Sequence, residues 1–425
     1  MLVLSGMYLY KTYAAFTEEK HFNVINGTVQ DPGDIYFAYY VDNTITRSMP
    51  KKGTGYTLDT EKSNCTNGVI PKWDNSGWQF IGDYSGYNAT DYTRTRCDLY
   101  FKKIDITAID YIKELAKYDT ETLATDEAGG NIRYIGKDPD NYVNVDGDIF
   151  RIIGVMKDID NGTGKKESRI KLISASSIGN YSWDSSESSI NNGCGVNEWS
   201  QADLMKLLNP GYESESVGGS LYWNSKSGNC YNEKNNMSTN CNFTSSGMKE
   251  SLKELIDNAV WNTGAANDMK YKTTKFYELE RSENTGKICT SGDYCNDAIE
   301  RTTKWTGKVG LMYLSDYGYA TSGDANSTKY TRDFCLLQTF DSYGDNESCI
   351  INNWFFSMGS DQYTMTPRYQ SSGANSVLMI DDIGYAFNSL SYKSFAIRPV
   401  VYLKTTIKII SGDGSSSNPY VLSGS

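Results

Sequence analysis

Residues 369–403 read YQSSGANSVLMIDDIGYAFNSLSYKSFAIRPVVYL and change character towards their end. The last eight, 396–403, have the composition of a strand laid into a core. Upstream of them, aromatic, amide, hydroxyl and carboxylate side chains follow one another without a clear period. Leu378, Met379 and Ile380 are consecutive, and alternation along a strand predicts that one or two of the three are buried. The contrast predicts an ordered scaffold strand beside a segment that follows no regular strand or helix pattern.

The composition describes a folded, recognition-prone protein. The chain has 425 residues, enough for two or three domains, with 39% hydrophobic and 22% charged residues. Its 33 tyrosines against 14 phenylalanines suit a recognition surface, although extracellular all-β proteins share this bias. A net charge of −11 argues against a nucleic-acid partner. The single histidine, His21, argues against His-dependent hydrolases and multi-His metal sites.

The nine cysteines are spaced as local pairs rather than as metal-binding motifs. Such bracketing favours disulfides in an oxidising compartment, and reduced buried thiols are the alternative. Cys194 is left over, as a reactive thiol, a loop cysteine or a link to a partner chain. The four pairs predicted as disulfides are Cys65 with Cys97, Cys230 with Cys241, Cys289 with Cys295, and Cys335 with Cys349.

The first sixteen residues, MLVLSGMYLYKTYAAF, decide the predicted location. They are apolar but lack the basic start and the cleavage site of a signal peptide, and they are too short to span a bilayer. We interpret residues 1–30 as a membrane-proximal segment, the remnant of a membrane helix, with an ordinary first strand as the alternative. The expected location is extracytoplasmic, at the cell surface or secreted, with a membrane contact only through this segment.

The pattern along the chain predicts an α+β fold. Residues 31–104 form a small β-sandwich-like module, and 105–128 a short amphipathic helix with a linker. From 129 to 425 early strands, two helices (200–210 and 248–261), long loops and late strands ending in a hairpin predict a second domain with a mixed or antiparallel sheet.

Some loops carry oxygen ligands of the kind that calcium prefers. None reproduces an EF-hand, and Asp-, Asn- and Gly-rich turns form without a metal. We predict no metal and no cofactor, and leave calcium open as the one cofactor the composition permits. The residues concerned are Asp138, Asp140, Asn141, Asp146, Asp148, Asp158, Asp160 and Asn161.

Several long stretches together resemble surface proteins of gut Firmicutes. GVIPKWDNSGWQF and TRCDLYFKK resemble their small β module. Their large domain is similar to C-type-lectin-like folds of the formylglycine-generating-enzyme superfamily, some of which are variable proteins of diversity-generating retroelements. The stretches that carry this second resemblance are NIRYIGKDPDNYV, FRIIGVM, NEWSQADLMKLLNPGY, GGSLYWNSKSGNCY, KWTGKVGLMYLSDYGYATSG and FAIRPVVYL.

The resemblance implies a C-terminal lectin-like ligand-binding domain with long, disulfide-stapled loops, in which residues 354–395 form a display face, diversified in the variable proteins. Rigid aromatic side chains would supply contact area there, and Ser and Asn adaptable hydrogen bonds. The ligand would be an unknown protein or glycan on a host, phage or neighbouring cell. The candidate ligand-binding residues are Ser357, Met358, Ser360, Asp361, Tyr363, Arg368, Tyr369, Gln370, Leu378, Met379, Asp381, Asp382, Tyr385, Phe387, Asn388, Leu390 and Tyr392.

The expected function is therefore non-catalytic binding of the adhesin or receptor kind, with no catalytic residues. A formylglycine-generating oxidase is one alternative, but the flanks of Cys335 and Cys349 do not match its active-site pattern. A pilus or surface-layer subunit is the other, and it differs in requiring self-assembly.

Overall fold

The computed structural model describes residues 35–74, 77–88, 95–186, 193–283, 298–356 and 360–423. These residues form two compact units, one drawn from residues 35–52 and 56–104, the other from 53–55 and 105–423. The hydrophobic cores of the two units have no residue in common. The N-terminal segment 1–30, predicted to be the remnant of a membrane helix, lies outside the described residues.

The first unit is a small β unit. Its main sheet has the order β2-β1-β7-β3, with β4 also paired to β7, while β5 and β6 form a separate hairpin. In β7, Cys97, Leu99 and Phe101 alternate with more exposed residues and enter the core, as the period of a half-buried strand requires. The strands are β1 (Ile35–Val41), β2 (Thr44–Thr46), β3 (Tyr56–Leu58), β4 (Asn64–Cys65), β5 (Trp73–Asp74), β6 (Gln79–Phe80) and β7 (Thr95–Lys103).

The helices of the second unit are short. Thr107 caps the first helix, because its hydroxyl accepts a hydrogen bond from the Asp110 amide. This helix buries Ile109, Ile112 and Leu115 on one face. Its described helices are α1 (Ala108–Leu115), α2 (Asp203–Leu208), α3 (Glu250–Leu255), α4 (Thr273–Glu280), α5 (Leu314–Tyr319), α6 (Arg332–Leu337), α7 (Phe340–Tyr343) and α8 (Glu347–Ile351). A 3₁₀ turn, Trp199–Gln201, precedes α2.

The strands of the second unit form two sheets and two ribbons. The larger sheet has the order β18-β23-β12-β11-β10-β25-β24, extended by β9 and β8, and the smaller has the order β13-β22-β19-β20-β21. The ribbons are β14–β15 and β16–β17. The early strands are β8 (Leu123–Thr125), β9 (Ile132–Tyr134), β10 (Tyr142–Val145), β11 (Asp148–Asp160), β12 (Lys166–Ser174), β13 (Asn180–Ser182), β14 (Ser227–Tyr231), β15 (Ser238–Asn242) and β16 (Ala259–Asn262). The late strands are β17 (Lys304–Gly307), β18 (Val309–Gly310), β19 (Gln362–Arg368), β20 (Ser376–Ile380), β21 (Ala386–Leu390), β22 (Ser394–Ala396), β23 (Val400–Tyr402), β24 (Lys408–Ser411) and β25 (Tyr420–Ser423).

The predicted fold class is wrong, because the protein is sheet-rich. Among the described residues strands make up 36% and helices 15%, and the strands form several sheets. The prediction was a small β module followed by an α+β lectin-like domain with two helices. The helix predicted over 248–261 ends at Leu255, and Ala259–Asn262 forms β16. The side chain of Trp261 is fully buried from this strand, and tertiary burial of this kind overrides helical periodicity.

Leu378, Met379 and Ile380 are the last three residues of strand β20. All three are buried, at 1%, 0% and 1% exposure, and not the one or two that alternation predicts. β20 lies between β19 and β21, and protein covers both of its faces. A strand covered on both faces reads as a continuous apolar run, because neither set of alternate side chains reaches solvent.

Candidate functional site

Four of the predicted ligand-binding side chains belong to the core. They are Tyr363, Tyr369, Leu378 and Met379, with 2%, 7%, 1% and 0% exposure. The Tyr363 hydroxyl donates to the main-chain oxygens of Leu390 and Lys393, both at 2.8 Å. These four residues therefore hold the smaller sheet together, and a ligand at the surface does not reach them.

The solvent-facing feature of this sheet is the turn Asp381–Tyr385 between β20 and β21, which we call the tip turn. The Asp381 carboxylate accepts hydrogen bonds from the amides of Ile383 at 3.1 Å and Tyr385 at 2.7 Å. The Asp381 amide in turn donates to the Tyr385 carbonyl at 2.9 Å. Side-chain capping of this kind fixes a turn locally, so the exposed residues Asp382 and Ile383 project from a defined backbone.

The core fixes the tip turn from below. The Tyr317 hydroxyl, itself fully buried, donates to the Gly384 carbonyl at 2.8 Å. Gly384 has a φ of 88°, and a Cβ at this position would lie 2.5 Å from Cγ2 of Ile350. The Asp382 amide donates to the Asp361 carboxylate at 3.0 Å. The turn is thus fastened to α5, α8 and the segment before β19.

Carboxylates surround the tip turn. The Tyr385 hydroxyl donates to Asp345 at 3.2 Å, and Asp361 lies against the amide of Asp382. Partial burial raises the pKa of Asp381, and the neighbouring charges of Asp361 and Asp382 add to the rise. The surface around the exposed Ile383 side chain is therefore electronegative.

The edge strand β21 continues this surface. Its residues Phe387, Asn388, Ser389 and Leu390 are all half-buried. Arg368 reaches across from β19 and donates to the Asn388 side chain at 3.0 Å and, at 3.4 Å, to the Asn267 carbonyl. Two of the predicted residues, Arg368 and Asn388, therefore come together at one edge of the sheet, and the predicted Phe387 and Leu390 lie on the same strand as Asn388.

The other predicted residues are scattered. Half-buried Ser360 accepts a hydrogen bond from Arg398 at 3.3 Å, while the Gln370 carbonyl accepts one from the Ala298 amide at 3.1 Å. Tyr392 is half-buried under the ammonium group of Lys393, 5.2 Å from its ring centre. Ser357 and Met358 lie outside the described residues.

The sequence prediction left out two residues that the structure places at the tip turn. Ile383, in the middle of the turn, is 59% exposed. Asp345 follows α7 and accepts a hydrogen bond from the Tyr385 hydroxyl. The pattern Asp-Asp-Ile-Gly contains a signal for Ile383, because an Asp-capped turn ending in glycine leaves its central residue outside. No local pattern connects Asp345 with Tyr385, since only the folded chain brings them together.

Three disulfides are present among the described residues: Cys65–Cys97, Cys230–Cys241 and Cys335–Cys349. They confirm three of the four predicted pairs and indicate an oxidising, extracytoplasmic environment. The fourth predicted pair, Cys289 and Cys295, lies outside the described residues. The half-buried Cys194 accepts a hydrogen bond from Ser391 at its carbonyl, 3.0 Å away.

The disulfide Cys335–Cys349 connects α6 to α8, and both residues are fully buried. The two sulfur atoms are bonded to each other, so neither offers a thiolate nucleophile in this form. The pair fastens α6 to α8, the helix whose Ile350 packs against the tip turn, which is a structural role.

Metal ligands do not converge in the part of the chain that the structure describes, where no three His, Cys, Asp or Glu side chains could jointly hold an ion. The loops considered for calcium use their carboxylates internally. Asp160 accepts hydrogen bonds from the amides of Gly162 at 2.8 Å and Gly164 at 3.0 Å, and Asp138 pairs with Arg151 at 2.9 Å. These contacts are those of ordinary turns.

A buried ionic cluster, which the sequence did not predict, lies inside the second unit. Arg133 contacts Asp126 at 2.7 Å and Asp316 at 2.5 Å, and Lys171 contacts the other oxygen of Asp316 at 2.5 Å. Burial lowers the pKa of Lys171 to about 8 against the opposing charge of Asp316. Two acids and two bases compensate each other, and they join β9, β12 and α5 beneath the sheets.

A cavity lined by Tyr181, Asp203, Leu207 and Tyr231, among others, has a volume of about 10 Å³. This volume is of the order of a single water molecule.

Comparisons with protein-family models, with curated proteins and with solved structures gave no match. Among the described residues no helix has the length and apolar character needed to cross a membrane.

Proposed function

We propose that the protein is a non-catalytic binding protein displayed outside the cytoplasm, and that its ligand contacts the tip turn and the adjoining edge strand β21. The observation that carries this proposal is the exposure of Ile383 on a fixed turn. Burial in the fold stabilises an aliphatic side chain that is 59% exposed only in part, because most of its surface stays in contact with water.

Rigidity makes the tip turn suitable for binding. Hydrogen bonds from Ile383, Tyr385 and Tyr317 hold its backbone, and Gly384 packs against Ile350. A surface that is already in its bound conformation loses little conformational entropy when a partner arrives. Exposed apolar side chains at the centre of a polar rim are the usual energetic centre of an interface, and here the rim is made of carboxylates and amides.

The residues around Ile383 supply mixed chemistry. Tyr385 gives a large aromatic face with a polar end, Asp382 an exposed carboxylate, and Asn388 an amide on the neighbouring strand. Aromatic and small polar groups in one patch are typical of binding surfaces that use rigid contact area together with adaptable hydrogen bonds. The three disulfides support display in an oxidising environment.

The test uses the full chain with two probes, a phage-displayed library of random peptides and an array of cell-surface glycans. We expect ligands from one of them to bind, and Ile383→Ser to weaken that binding by about tenfold or more. Ile410→Ser is the matched control, because Ile410 is 51% exposed on β24 and lies outside the tip turn.

Thermal unfolding of both variants should stay close to that of the wild type, since neither side chain is in a core. Equal weakening by Ile410→Ser, or no ligand from either probe, would show that the tip turn is not a binding surface.

A further inference from the structure

The hydrogen-bond ladder between β20 and β21 determines which main-chain groups of β21 face outwards. The Asp381 amide donates to the Tyr385 carbonyl at 2.9 Å, and the Ser391 amide to the Asn375 carbonyl at 2.7 Å. Hydrogen-bonded pairs alternate along an antiparallel ladder, so Phe387 and Ser389 face β20. The main-chain groups of Asn388 and the Leu390 amide therefore point away from β20, towards the outer side of the last described strand of the sheet.

These outward groups are available for pairing. The amide and carbonyl of Asn388 and the amide of Leu390 have no hydrogen-bond partner among the described residues. The Leu390 carbonyl is already occupied by the Tyr363 hydroxyl and the Lys393 amide. Ala386 is buried, at 8% exposure, so the open stretch is Phe387–Leu390.

The sequence of this edge lacks the charges and prolines that often prevent strand pairing, and α7 packs against the same strand. The sequence of β21, AFNSL, contains no charged residue and no proline. The edge strand of the larger sheet, β24, differs because its Lys408 pairs with Asp105 at 2.8 Å. The other edge strand of the smaller sheet, β13, is only three residues long. Of these edges, β21 alone combines length with main-chain groups that have no hydrogen-bond partner among the described residues.

The charge at one end of the edge is also defined. The carboxylates of Asp345, Asp361, Asp381 and Asp382 gather around the tip turn, which leads directly into β21. A peptide strand added beside β21 would place alternate side chains next to Phe387 and Ser389 on one face of the sheet and next to Asn388 and Leu390 on the other. The end of this peptide nearest the tip turn would lie beside the carboxylates.

We propose that the ligand is an extended peptide that adds a strand to the outer edge of β21, with a lysine or arginine placed against the carboxylates of the tip turn. This inference rests on the proposed function and names the class of ligand for that surface. Main-chain hydrogen bonds to Asn388 and Leu390 provide affinity, and the alternating side chains and the cation provide specificity.

Two substitutions at one position test the pairing with a peptide selected from the random library. Asn388→Pro removes the outward amide without touching the ladder to β20, and edge strands tolerate proline at such positions. Asn388→Ala keeps the amide and loses only the side-chain contact to Arg368. We expect Asn388→Pro to weaken binding about tenfold or more and Asn388→Ala about threefold or less.

A second measurement uses the selected peptide itself, N-methylated at one residue at a time. Strand addition predicts that methylation at alternate residues abolishes binding, and that methylation at the residues between has little effect. Replacing the peptide's lysine or arginine with glutamine should weaken binding and reduce its dependence on salt.

The outcomes separate this inference from the proposed function. If Ile383→Ser weakens peptide binding while Asn388→Pro behaves like Asn388→Ala, or if N-methylation shows no alternation, strand addition is refuted and the binding surface stands. The same holds if only glycans bind and Ile383→Ser abolishes their binding. If neither probe yields a ligand sensitive to Ile383→Ser, both proposals fail.

Discussion

Gly384 is the residue on which the tip turn depends. Its φ of 88° lies in the left-handed region, where a Cβ adds strain, and the space beside it is occupied by Cγ2 of Ile350 at 2.5 Å from the position of a Cβ. The backbone and the packing therefore both require glycine here. Because the Gly384 carbonyl also accepts the Tyr317 hydroxyl, a displacement at this position would move the exposed Ile383.

We expect Gly384→Ala to destabilise the second unit more than Gly164→Ala does. Both glycines have positive φ, 88° and 85°, but no atom lies within 4 Å of a Cβ at Gly164. Backbone strain alone costs about 1 kcal/mol in each variant, and overpacking against Ile350 adds about 1–3 kcal/mol in Gly384→Ala. Urea unfolding of the two variants measures the difference. Equal losses of unfolding free energy in the two variants would show that Ile350 moves aside for the added methyl group without destabilising the fold.

The contribution of the buried Asp184 carboxyl to stability depends on pH. Burial raises the pKa of this carboxyl to about 6, and the nearby charge of Asp203 adds to the rise. The ionised carboxylate still accepts hydrogen bonds from the amides of Val196 at 2.6 Å and Asp203 at 3.1 Å. Between the unfolded pKa of about 3.9 and the folded pKa, the native state binds more protons, so this group stabilises the fold as the pH falls.

The wild type should therefore gain about 1 kcal/mol from Asp184 when the pH is lowered from 7 to 5, and Asp184→Asn should lose that gain. The quantity to measure is the difference in unfolding free energy between wild type and variant at the two pH values, since carboxyls other than the adjacent Asp203 contribute equally to both. A difference that does not change with pH would show that Asp184 titrates near its ordinary pKa in the fold.

At the scale of elements, sequence pattern predicted strands where one face is core and the other solvent, and helices where burial follows a helical period. It predicted α1, with Ile109, Ile112 and Leu115 on its buried face. It failed at β16, where helical spacing over 248–261 was overridden by pairing with β17 and burial of Trp261. Spacing alone carries no information about such distant partners.

The candidate site shows the same division. The aromatic and polar character of residues 381–392 is visible in the sequence, and the structure places several of these side chains at the surface. Tyr363 and Tyr369 have the same chemistry but are buried, Tyr363 within β19, which is covered on both faces, and Tyr369 directly after it. Tyr385, by contrast, precedes β21 in the tip turn and is only half-buried, so the exposure of a tyrosine depends on its place in the folded sheet.

At the scale of the whole molecule, each unit has its own core and its own disulfides. The first is centred on residues such as Leu99 and Phe101 and contains Cys65–Cys97, while the second contains Cys230–Cys241 and Cys335–Cys349. A disulfide stabilises a unit with a small core considerably, because it lowers the conformational entropy of the unfolded chain. Separate cores favour separate unfolding transitions.

Replacing Cys65 and Cys97 together by alanine should therefore lower the unfolding free energy of the first unit alone. The bond closes a separation of 32 residues, for which chain entropy predicts a loss of about 3.5 kcal/mol. Calorimetry of the full chain should show one transition moving to lower temperature. Replacing Cys230 and Cys241, which are 11 residues apart, should move only the other transition, by about 3 kcal/mol. If both replacements moved one common transition, the two units would unfold as a single cooperative body.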